Sequence, residues 1–307
     1  MENSAQQKTL ISIVGPTAIG KTNLAIQIAK HFDCEIISCD SRQFFKEMKI
    51  GTAVPSDDEL AAVKHHFIQN KSINESYSVG DFERDGLAFL SEYFKTNDYC
   101  VMVGGSGLYE KAITVGFDTF PDIEPHIRVD LNKELDQFGL EKLQSELKEK
   151  DLAYYNEVDI YNKQRVIRAL EIIRGTGKPF SSFRNQNTNP RPFNCIKIGL
   201  ELPREEMYDR INRRVDLMIN EGLLNEAKNL HHLKSLNALQ TVGYRELFEF
   251  FEGNFTYEFA IEEIKKNTRR FAKRQMTWFK KDEQVKWFAP TATNQIINYI
   301  VEKKSVS

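Results

Sequence analysis

The chain has 307 residues and a formal net charge of −2, so it has no overall positive field to attract nucleic acid. Its length suits two units of ordinary size, and any nucleic-acid contact would need a local basic patch. No apolar run approaches the roughly 18 residues of a membrane-spanning helix, and no apolar leader is present, so we expect neither membrane insertion nor secretion.

The cysteines and histidines give no sign of a disulfide framework or a metal centre. The four cysteines lack CxxC spacing, and three lie in or beside apolar runs, which predicts free thiols in a reducing compartment, the cytoplasm. The pairs His65-His66 and His231-His232 have no further ligands at metal-binding spacing, so zinc is not expected.

A glycine-rich loop near the start of the chain matches the GxxxxGKT pattern of ATP- and other nucleotide-binding P-loops. An apolar strand pattern at 10–14 precedes it and a helical pattern at 23–31 follows, which is the context that the motif requires. Its N–H groups, the helix dipole and one lysine would cradle a di- or triphosphate, and Thr22 would bind Mg²⁺ through its hydroxyl. The motif comprises Gly15, Pro16, Thr17, Ala18, Ile19, Gly20, Lys21 and Thr22.

Apolar strands alternate with helical patterns in the first third of the chain. The strands at 10–14, 35–39 and 99–103 predict an α/β fold of the P-loop NTPase type, a parallel sheet flanked by helices. Ligands of such sheets bind beyond the carboxyl ends of the strands. The segments at that edge are the P-loop, Asp40-Ser41, and Gly104-Gly105-Ser106.

The middle of the chain predicts an inserted all-helical domain. Residues 118–125 are rich in Pro and Asp, residues 126–177 are helical and charged, and strand character returns at 195–200. We therefore expect an α/β core domain from residues 1–117 and 195–307, and a helical domain from 118–194.

One helix of this insertion, residues 162–174, separates apolar from polar side chains. Gln164, Arg165 and Arg168 lie on the polar face, opposite Val166 and Leu170. Spacing alone is equally compatible with a solvated face.

A second helix, residues 204–221, places Arg214 on the same stripe as Met207, Ile211 and Met218, with Arg210 beside it. An arginine at the edge of a buried stripe needs an anionic partner, because burying an unpaired charge is costly. That partner could be an anionic ligand, or a structural acid such as Asp209 or Asp216.

A third helix, residues 261–281, is strongly basic on one face. Its apolar face contains Ile261, Ile264, Phe271, Trp278 and Phe279. Solvated faces normally mix charges, so cations without acids favour a nucleic-acid partner over a plain solvated surface. The eight cations are Lys265, Lys266, Arg269, Arg270, Lys273, Arg274, Lys280 and Lys281, and no acid occurs between 265 and 281.

The strand ends bear on the chemistry. The strand at 99–103 is followed by Gly-Gly-Ser and lacks the terminal Asp that nucleotide hydrolases commonly use on Mg²⁺. Asp40 instead ends the second strand, where it could act as a proton acceptor or could simply cap a helix.

Seven motifs together resemble the bacterial tRNA dimethylallyltransferase family over residues 9–288. They are GPTAIGKT (15–22), ISCDSRQFF (37–45), MKIGTAVP (48–55), VGGSGLY (103–109), QRVIRALEI (164–172), VGYRE (242–246) and TRRFAKRQMTWF (268–279). The resemblance implies transfer of a dimethylallyl group from dimethylallyl diphosphate to N6 of adenosine 37 in the tRNA anticodon loop, with release of diphosphate. It also implies Mg²⁺ as cofactor.

The resemblance implies a role for each matching residue. Residues 15–22 would hold the diphosphate, with Lys21 and Arg210 supplying charge. Asp40 would take the proton from the attacking amine, and Ser106 would hydrogen-bond the departing phosphate. The implied tRNA contacts are Asp40, Ser41, Arg42, Gln43, Ser106, Arg128, Gln164, Arg165, Arg168, Arg270 and Lys273.

Three positions depart from the family pattern. Ser106 replaces the usual Thr, Phe45 the usual Tyr, and Val54 the frequent Lys. Because Ser keeps the hydroxyl, we expect activity to survive the first change.

Three other functions fit parts of the sequence. An isopentenyltransferase acting on free adenine nucleotides would need neither the insertion nor the basic helix. A P-loop small-molecule kinase would turn over ATP, and an RNA-binding module would use the P-loop as a switch. The expected partners are a tRNA anticodon stem-loop and dimethylallyl diphosphate, with no membrane, and the chain is expected to be a monomer.

Overall fold

A computed structural model describes residues 8–184 and 190–306. Its sheet has six strands in the order β3-β2-β4-β1-β5-β6, and every described pairing is parallel. The strands are β1 (Thr9–Val14), β2 (Ile36–Ser38), β3 (His65–His66), β4 (Tyr99–Val103), β5 (Asn194–Leu200) and β6 (Lys286–Phe288). The predicted parallel α/β sheet is confirmed, whereas the short strands β3 and β6 were not predicted.

Thirteen α-helices connect and extend the described strands. They are α1 (Lys21–His31), α2 (Asp57–Ala62), α3 (Val79–Tyr93), α4 (Gly107–Thr114), α5 (Pro125–Phe138), α6 (Leu140–Lys150), α7 (Leu152–Glu157), α8 (Lys163–Thr176), α9 (Arg204–Asn220), α10 (Leu223–Leu230), α11 (Tyr244–Phe251), α12 (Tyr257–Phe279) and α13 (Thr293–Val306).

Strand β1 shows why the sheet lies at the centre of its unit. All six of its residues are buried. Ile11 packs with residues of α1 and α13, whereas its neighbour Leu10 packs on the other face with residues of α3. Since side chains alternate along a strand, helices cover both faces of the sheet, and its ligand-binding edge is the line of carboxyl ends.

The chain divides into two compact units. The first contains Met1–Thr114 and Arg191–Ser307, and the second contains Val115–Pro190. The proposed limits of the inserted domain, 118–194, lie a few residues from those of the second unit. The described residues of the second unit form helices and connecting turns, without a strand.

The second unit has its own core around α8. Val166, Ile167 and Leu170 are fully buried in one cluster with Leu131 of α5 and Leu147 of α6. The Asn162 side chain caps α8 by accepting the N–H of Arg165 at 3.3 Å. The apolar stripe predicted for this helix is therefore its buried face.

No helix in the described ranges is long and apolar enough to cross a membrane. All four cysteines are free thiols, as the sequence predicted.

Candidate active site

The P-loop joins β1 to α1 at the carboxyl edge of the sheet. Gly20 precedes α1 with φ +103°, a left-handed conformation that glycine adopts without strain. Lys21 folds back over the loop, and its Nζ donates to the carbonyls of Gly15 at 3.0 Å and Pro16 at 2.7 Å. The ammonium is thus held across the loop, where a phosphate would sit.

The pKa of Lys21 is lowered to about 8, chiefly by burial; the negative charge of Asp40 opposes this shift and the positive charge of Arg214 contributes to it. A buried cation next to another cation is poorly stabilised without an anion. The P-loop is therefore an environment in which a bound diphosphate would favour the protonated lysine.

Two cavities, of about 650 Å³ and about 590 Å³, open at this edge. We call the first the P-loop cavity, because residues 17–23 line it, and the second the Ser106 cavity, because residues 105–109 line it. Their shared wall shows that the two spaces adjoin. It contains Thr17, Asp40, Thr52, Gly105, Arg214, Met218, Phe271 and Gln275.

Asp40 lies just beyond β2 and faces both cavities. Its Oδ1 accepts the backbone N–H of Arg42 at 3.1 Å, so the carboxylate stabilises a local turn, and no described helix begins there for it to cap. In the described chain no ion pair occupies it. One carboxylate can therefore brace the turn and still face a ligand as a proton acceptor.

Ser106 caps α4 and contacts the segment that carries Asp40. Its carbonyl accepts the N–H groups of Tyr109 and Glu110, and its hydroxyl lies 3.1 Å from both the N–H and the hydroxyl of Ser41. Ser106 and Ser41 both line the Ser106 cavity. The structure thus brings together Asp40, Ser41 and Ser106, which the sequence placed on two different strand ends.

The two arginines of α9 occupy different positions. Arg214 lines both cavities, and its Nη1 donates to Thr17 Oγ1 at 3.0 Å. Arg210 pairs with Glu206 at 3.0 Å and approaches the P-loop at Gly20.

Neither proposed structural acid serves these two arginines. Asp209 pairs with Arg213, and Asp216 pairs with Lys265. Arg214, which is not among the predicted site residues, is therefore the cation that faces the shared space, and Arg210 lies beside the loop.

Gln275 of α12 is a site residue that the sequence analysis missed. Its Oε1 accepts the N–H of Thr17 at 2.9 Å, and its Nε2 donates to the carbonyl of Gly105 at 2.8 Å. The side chain is only 6% exposed. A polar residue that shares a buried helical face with Ile264 and Phe279 was the available signal, because buried polar groups need partners.

Thr22 fits the predicted role at Mg²⁺. It lines the P-loop cavity, and within the described ranges its hydroxyl has no protein partner. The described residues contain no cluster of three carboxylate, His or Cys side chains that could hold a metal alone. Mg²⁺ usually takes one or two protein ligands and completes its shell with water and substrate phosphate, so a single hydroxyl beside a diphosphate suits it.

Gln43 braces a neighbouring loop. Its Nε2 donates to the carbonyls of Thr52 at 3.2 Å and Ala53 at 2.9 Å, and its Oε1 accepts the hydroxyl of Ser38 at 3.1 Å. Arg42 lines the Ser106 cavity, where burial lowers its pKa. Of the proposed RNA contacts in this segment, Arg42 faces the cavity and has no side-chain partner among the described residues, whereas the Gln43 amide is already hydrogen-bonded.

In the second unit, two of the proposed RNA-binding arginines share one carboxylate. Arg128 Nη1 and Arg168 Nη1 each donate to Glu171 Oε2 at 2.9 Å, and Arg128 Nη2 donates to Gln164 Oε1 at 3.3 Å. Glu171 is nearly buried, so the guanidinium groups are fixed against the helix and keep one net positive charge. Arg165 extends outward without a side-chain partner in the part described.

The basic face of α12 is less uniform than the sequence suggested. Acids outside 265–281 neutralise three of its cations: Asp216 pairs with Lys265, Glu263 with Lys266, and Glu201 with Lys280. Arg269 and Arg270 donate to asparagine side chains instead. Among the described residues, Lys273, Arg274 and Lys281 have no ion pair, and they line a shallow groove of about 240 Å³ with Trp278.

The apolar face of α12 is also only partly buried. Ile264 and Phe279 are 2% exposed, but Phe271 is 39% and Trp278 43% exposed. Both exposed rings line the Ser106 cavity. The apolar face predicted for this helix is therefore core at Ile264 and Phe279, whereas its two aromatic residues at the cavity remain partly exposed.

The departures from the family pattern have different surroundings. Phe45 is 6% exposed in an apolar cluster, and Phe44 is fully buried, so both are core residues rather than stacking partners for a base. Val54 lines the P-loop cavity.

The chain resembles known proteins over nearly its whole length. The IPP transferase family model matches residues 43–282. The tRNA dimethylallyltransferase of Flavobacterium johnsoniae is 58% identical over 302 residues, covering 96% of this chain and 98% of the relative.

Two solved structures share the architecture. The tRNA isopentenylpyrophosphate transferase of Bacillus halodurans matches with 37% identity and a TM-score of 0.73, over 97% of this chain and 98% of its own. A eukaryotic dimethylallyltransferase acting on tRNA matches with 25% identity and a TM-score of 0.79, over 94% of this chain and 75% of its own.

Proposed function

The chain belongs to the IPP transferase family, and on that premise we propose that it transfers a dimethylallyl group to tRNA. The donor is dimethylallyl diphosphate, and the acceptor is N6 of adenosine 37 in the anticodon loop. The products are N6-isopentenyladenosine and diphosphate.

One observation carries this proposal: the P-loop cavity and the Ser106 cavity share a wall that contains both Asp40 and Arg214. A diphosphate held by the P-loop would end next to a carboxylate that faces the neighbouring cavity. That cavity has the exposed rings of Phe271 and Trp278 in its wall, and planar apolar surfaces suit a nucleobase. Donor and acceptor would therefore meet at Asp40.

The residues present suit this chemistry. The bond between the allylic carbon and the diphosphate oxygen breaks while a new bond forms from N6 to that carbon, and the N6 proton passes to Asp40. Lys21, Arg214 and the loop N–H groups stabilise the negative charge on the departing diphosphate, the electrostatic form of catalysis. Ser106 would add a hydrogen bond and Arg210 further positive charge. Bound through Thr22, Mg²⁺ would neutralise further charge on the diphosphate.

The acceptor base must leave the anticodon stack, at a cost of a few kcal/mol. RNA contacts elsewhere offset that cost. We propose that Arg42 and Ser41 meet the flipped nucleotide, and that Arg270, Lys273 and their unpaired neighbours on α12 contact its backbone. In the inserted domain Gln164, Arg165, Arg168 and Arg128 would bind the stem. With four free thiols and tRNA as substrate, the cytoplasm is the proposed location.

Labelled dimethylallyl diphosphate with Mg²⁺ and either an anticodon stem-loop or AMP tests the proposal. We expect label in the RNA and none in AMP. Label in AMP alone would indicate an enzyme for free nucleotides. ATP turnover without label transfer would indicate a kinase, and RNA binding without any turnover a binding module.

A further inference from the structure

The loop formed by residues 48–53 is held by a carboxylate from a distant helix. Glu226 of α10 accepts three successive backbone N–H groups: Lys49 at 3.0 Å and Ile50 at 2.8 Å on Oε2, and Gly51 at 2.9 Å on Oε1. Successive amides that converge in this way form an anion-binding nest. Here a side chain of the protein fills that nest.

Tyr244 of α11 completes the arrangement. Its hydroxyl donates to Glu226 Oε1 at 2.6 Å, and its ring is fully buried. A Cβ at Gly51 would come within 2.6 Å of that ring, so only glycine permits this approach. Burial and the negative charge of Glu226 both raise the pKa of Tyr244, which keeps the hydroxyl a donor.

The opposite side of the same loop leads to the proposed catalytic carboxylate. The carbonyls of Thr52 and Ala53 accept Gln43 Nε2 at 3.2 and 2.9 Å. The hydroxyl of Ser38 donates to Gln43 Oε1 at 3.1 Å and accepts the backbone N–H of Asp40 at 3.3 Å. Two sets of hydrogen bonds, joined by the loop backbone, therefore connect Glu226 to the backbone N–H of Asp40.

We propose that Glu226 and Tyr244 are positioning residues that fix the 48–53 loop and, through Gln43, orient Asp40 toward the acceptor base. This inference rests on the proposed transfer reaction. Residues 49, 50, 52 and 53 also line the P-loop cavity, but the main cation for the diphosphate, Lys21, is held by carbonyls of its own loop and not by residues 48–53. Loss of the pair should therefore impair use of the acceptor while leaving diphosphate binding intact.

The substitution Glu226→Gln tests the positioning role while keeping nearly the same side-chain shape. The amide places an N–H donor against at least one N–H or O–H donor of the nest, so one buried group loses its partner. A displacement of about 1 Å at a reacting group can cost on the order of 10²-fold in rate, and we expect kcat with the stem-loop to fall by about that factor. KM for the stem-loop should rise, and the Kd of inorganic diphosphate should stay unchanged.

Two further variants test whether the effect comes from the contacts of Glu226: Tyr244→Phe removes one of these contacts, and Lys228→Gln is the control on the same helix. Tyr244→Phe keeps the ring against Gly51 and removes one hydrogen bond, so it should act in the same direction with a smaller effect. Its combination with Glu226→Gln should be non-additive, because both act on one carboxylate. Lys228 is exposed on the same helix, and Lys228→Gln should match the wild type. Thermal unfolding of each variant fixes an assay temperature at which all are folded.

Hydrogen exchange at residues 49–51 gives a readout that needs no activity. Exchange at these amides should quicken in Glu226→Gln and stay unchanged in Lys228→Gln. Unchanged exchange, wild-type kcat and KM, or an equal loss of diphosphate binding would each overturn the inference. A wild-type protein that transfers no label would overturn the transfer reaction instead, and the exchange result would then decide whether the brace exists.

Discussion

The P-loop cavity and the Ser106 cavity are built in different ways. One continuous stretch, residues 15–22, forms the phosphate-binding loop of the P-loop cavity, and its lysine is held by the loop's own carbonyls. The wall of the Ser106 cavity comes from the segment after β2 and from α4, α9 and α12, with Gln275 joining Thr17 to Gly105. A loop of consecutive residues can bind its anion with few contacts from other elements, whereas the Ser106 cavity forms only when several elements are in place. Substitutions on the two sides should therefore differ in whether binding or chemistry suffers.

Asp40→Asn should show the largest effect on chemistry. The amide can accept a hydrogen bond but cannot take the N6 proton, and general bases typically contribute about 10²–10⁴-fold. We expect a single-turnover transfer rate lower by that range, with the Kd of inorganic diphosphate unchanged. Asp58→Asn, on the exposed surface of α2, is the control. A rate within a few-fold of wild type would make Asp40 a turn-stabilising residue only.

Lys21→Ala should instead weaken binding. Its charge faces the diphosphate before and during the reaction, and a charge-assisted hydrogen bond contributes roughly 1.5–3 kcal/mol. That corresponds to an increase of about 10- to 100-fold in the Kd of inorganic diphosphate, measured by calorimetry. Lys30→Ala, exposed at the other end of α1, should leave the Kd unchanged. Equal affinities in the two variants would mean that the loop amides alone bind the anion.

The pH dependence of diphosphate binding should reveal the protonation state of Lys21. Because burial lowers the pKa of Lys21 to about 8, the free protein loses this charge as the pH rises through that value. The affinity for inorganic diphosphate should therefore be full below pH 8 and fall above it. Titrating Lys21→Ala alongside removes the contribution of the ligand's own protonation. Parallel pH curves for the two proteins would contradict the lowered pKa.

The smallest effect is expected on α12. Replacing Lys273, Arg274 and Lys281 by Gln should lower the slope of log K against log salt concentration by roughly 0.7–0.9 for each RNA phosphate that is no longer bound. Stability should change by no more than about 0.5 kcal/mol, since these side chains are unpaired in the described part of the chain. Lys280→Gln, which removes a cation already paired with Glu201, should leave the slope nearly unchanged. An unaltered slope in the triple variant would mean that this face is solvated surface.

The contrast between the two cavities also explains what the sequence could predict. Strand runs, the P-loop and the apolar face of α8 depend on neighbouring residues, so their patterns are visible in the chain. Arg214 and Gln275 could not be identified in this way, because each is placed at the site by a hydrogen bond with Thr17, which lies far away in sequence. The same holds for Glu226, whose partners are three backbone amides that no side-chain pattern reveals.

The basic helix α12 shows which properties of a helix cannot be predicted from its own sequence. The sequence of α12 has no acid between residues 265 and 281, which suggested that all of its cations are unpaired. In the fold, however, Asp216 and Glu201 approach the helix from other segments and form ion pairs with two of these cations. Trp278 followed the apolar period of the helix and yet lies at the cavity, 43% exposed. Periodicity identifies a face, whereas the tertiary fold decides whether that face is covered. Truncating Trp278 should thus cost less than the roughly 3–5 kcal/mol of a fully buried ring.

The most direct test of the account is single-turnover transfer to two stem-loops that differ only at the target nucleotide. One carries adenosine, and the other carries purine riboside, which lacks the exocyclic amine but keeps the ring that the Ser106 cavity would hold. We expect similar affinity for both RNAs and labelled product from the adenosine stem-loop alone. Label on the purine riboside RNA, or none on the adenosine RNA, would contradict transfer to N6 at Asp40.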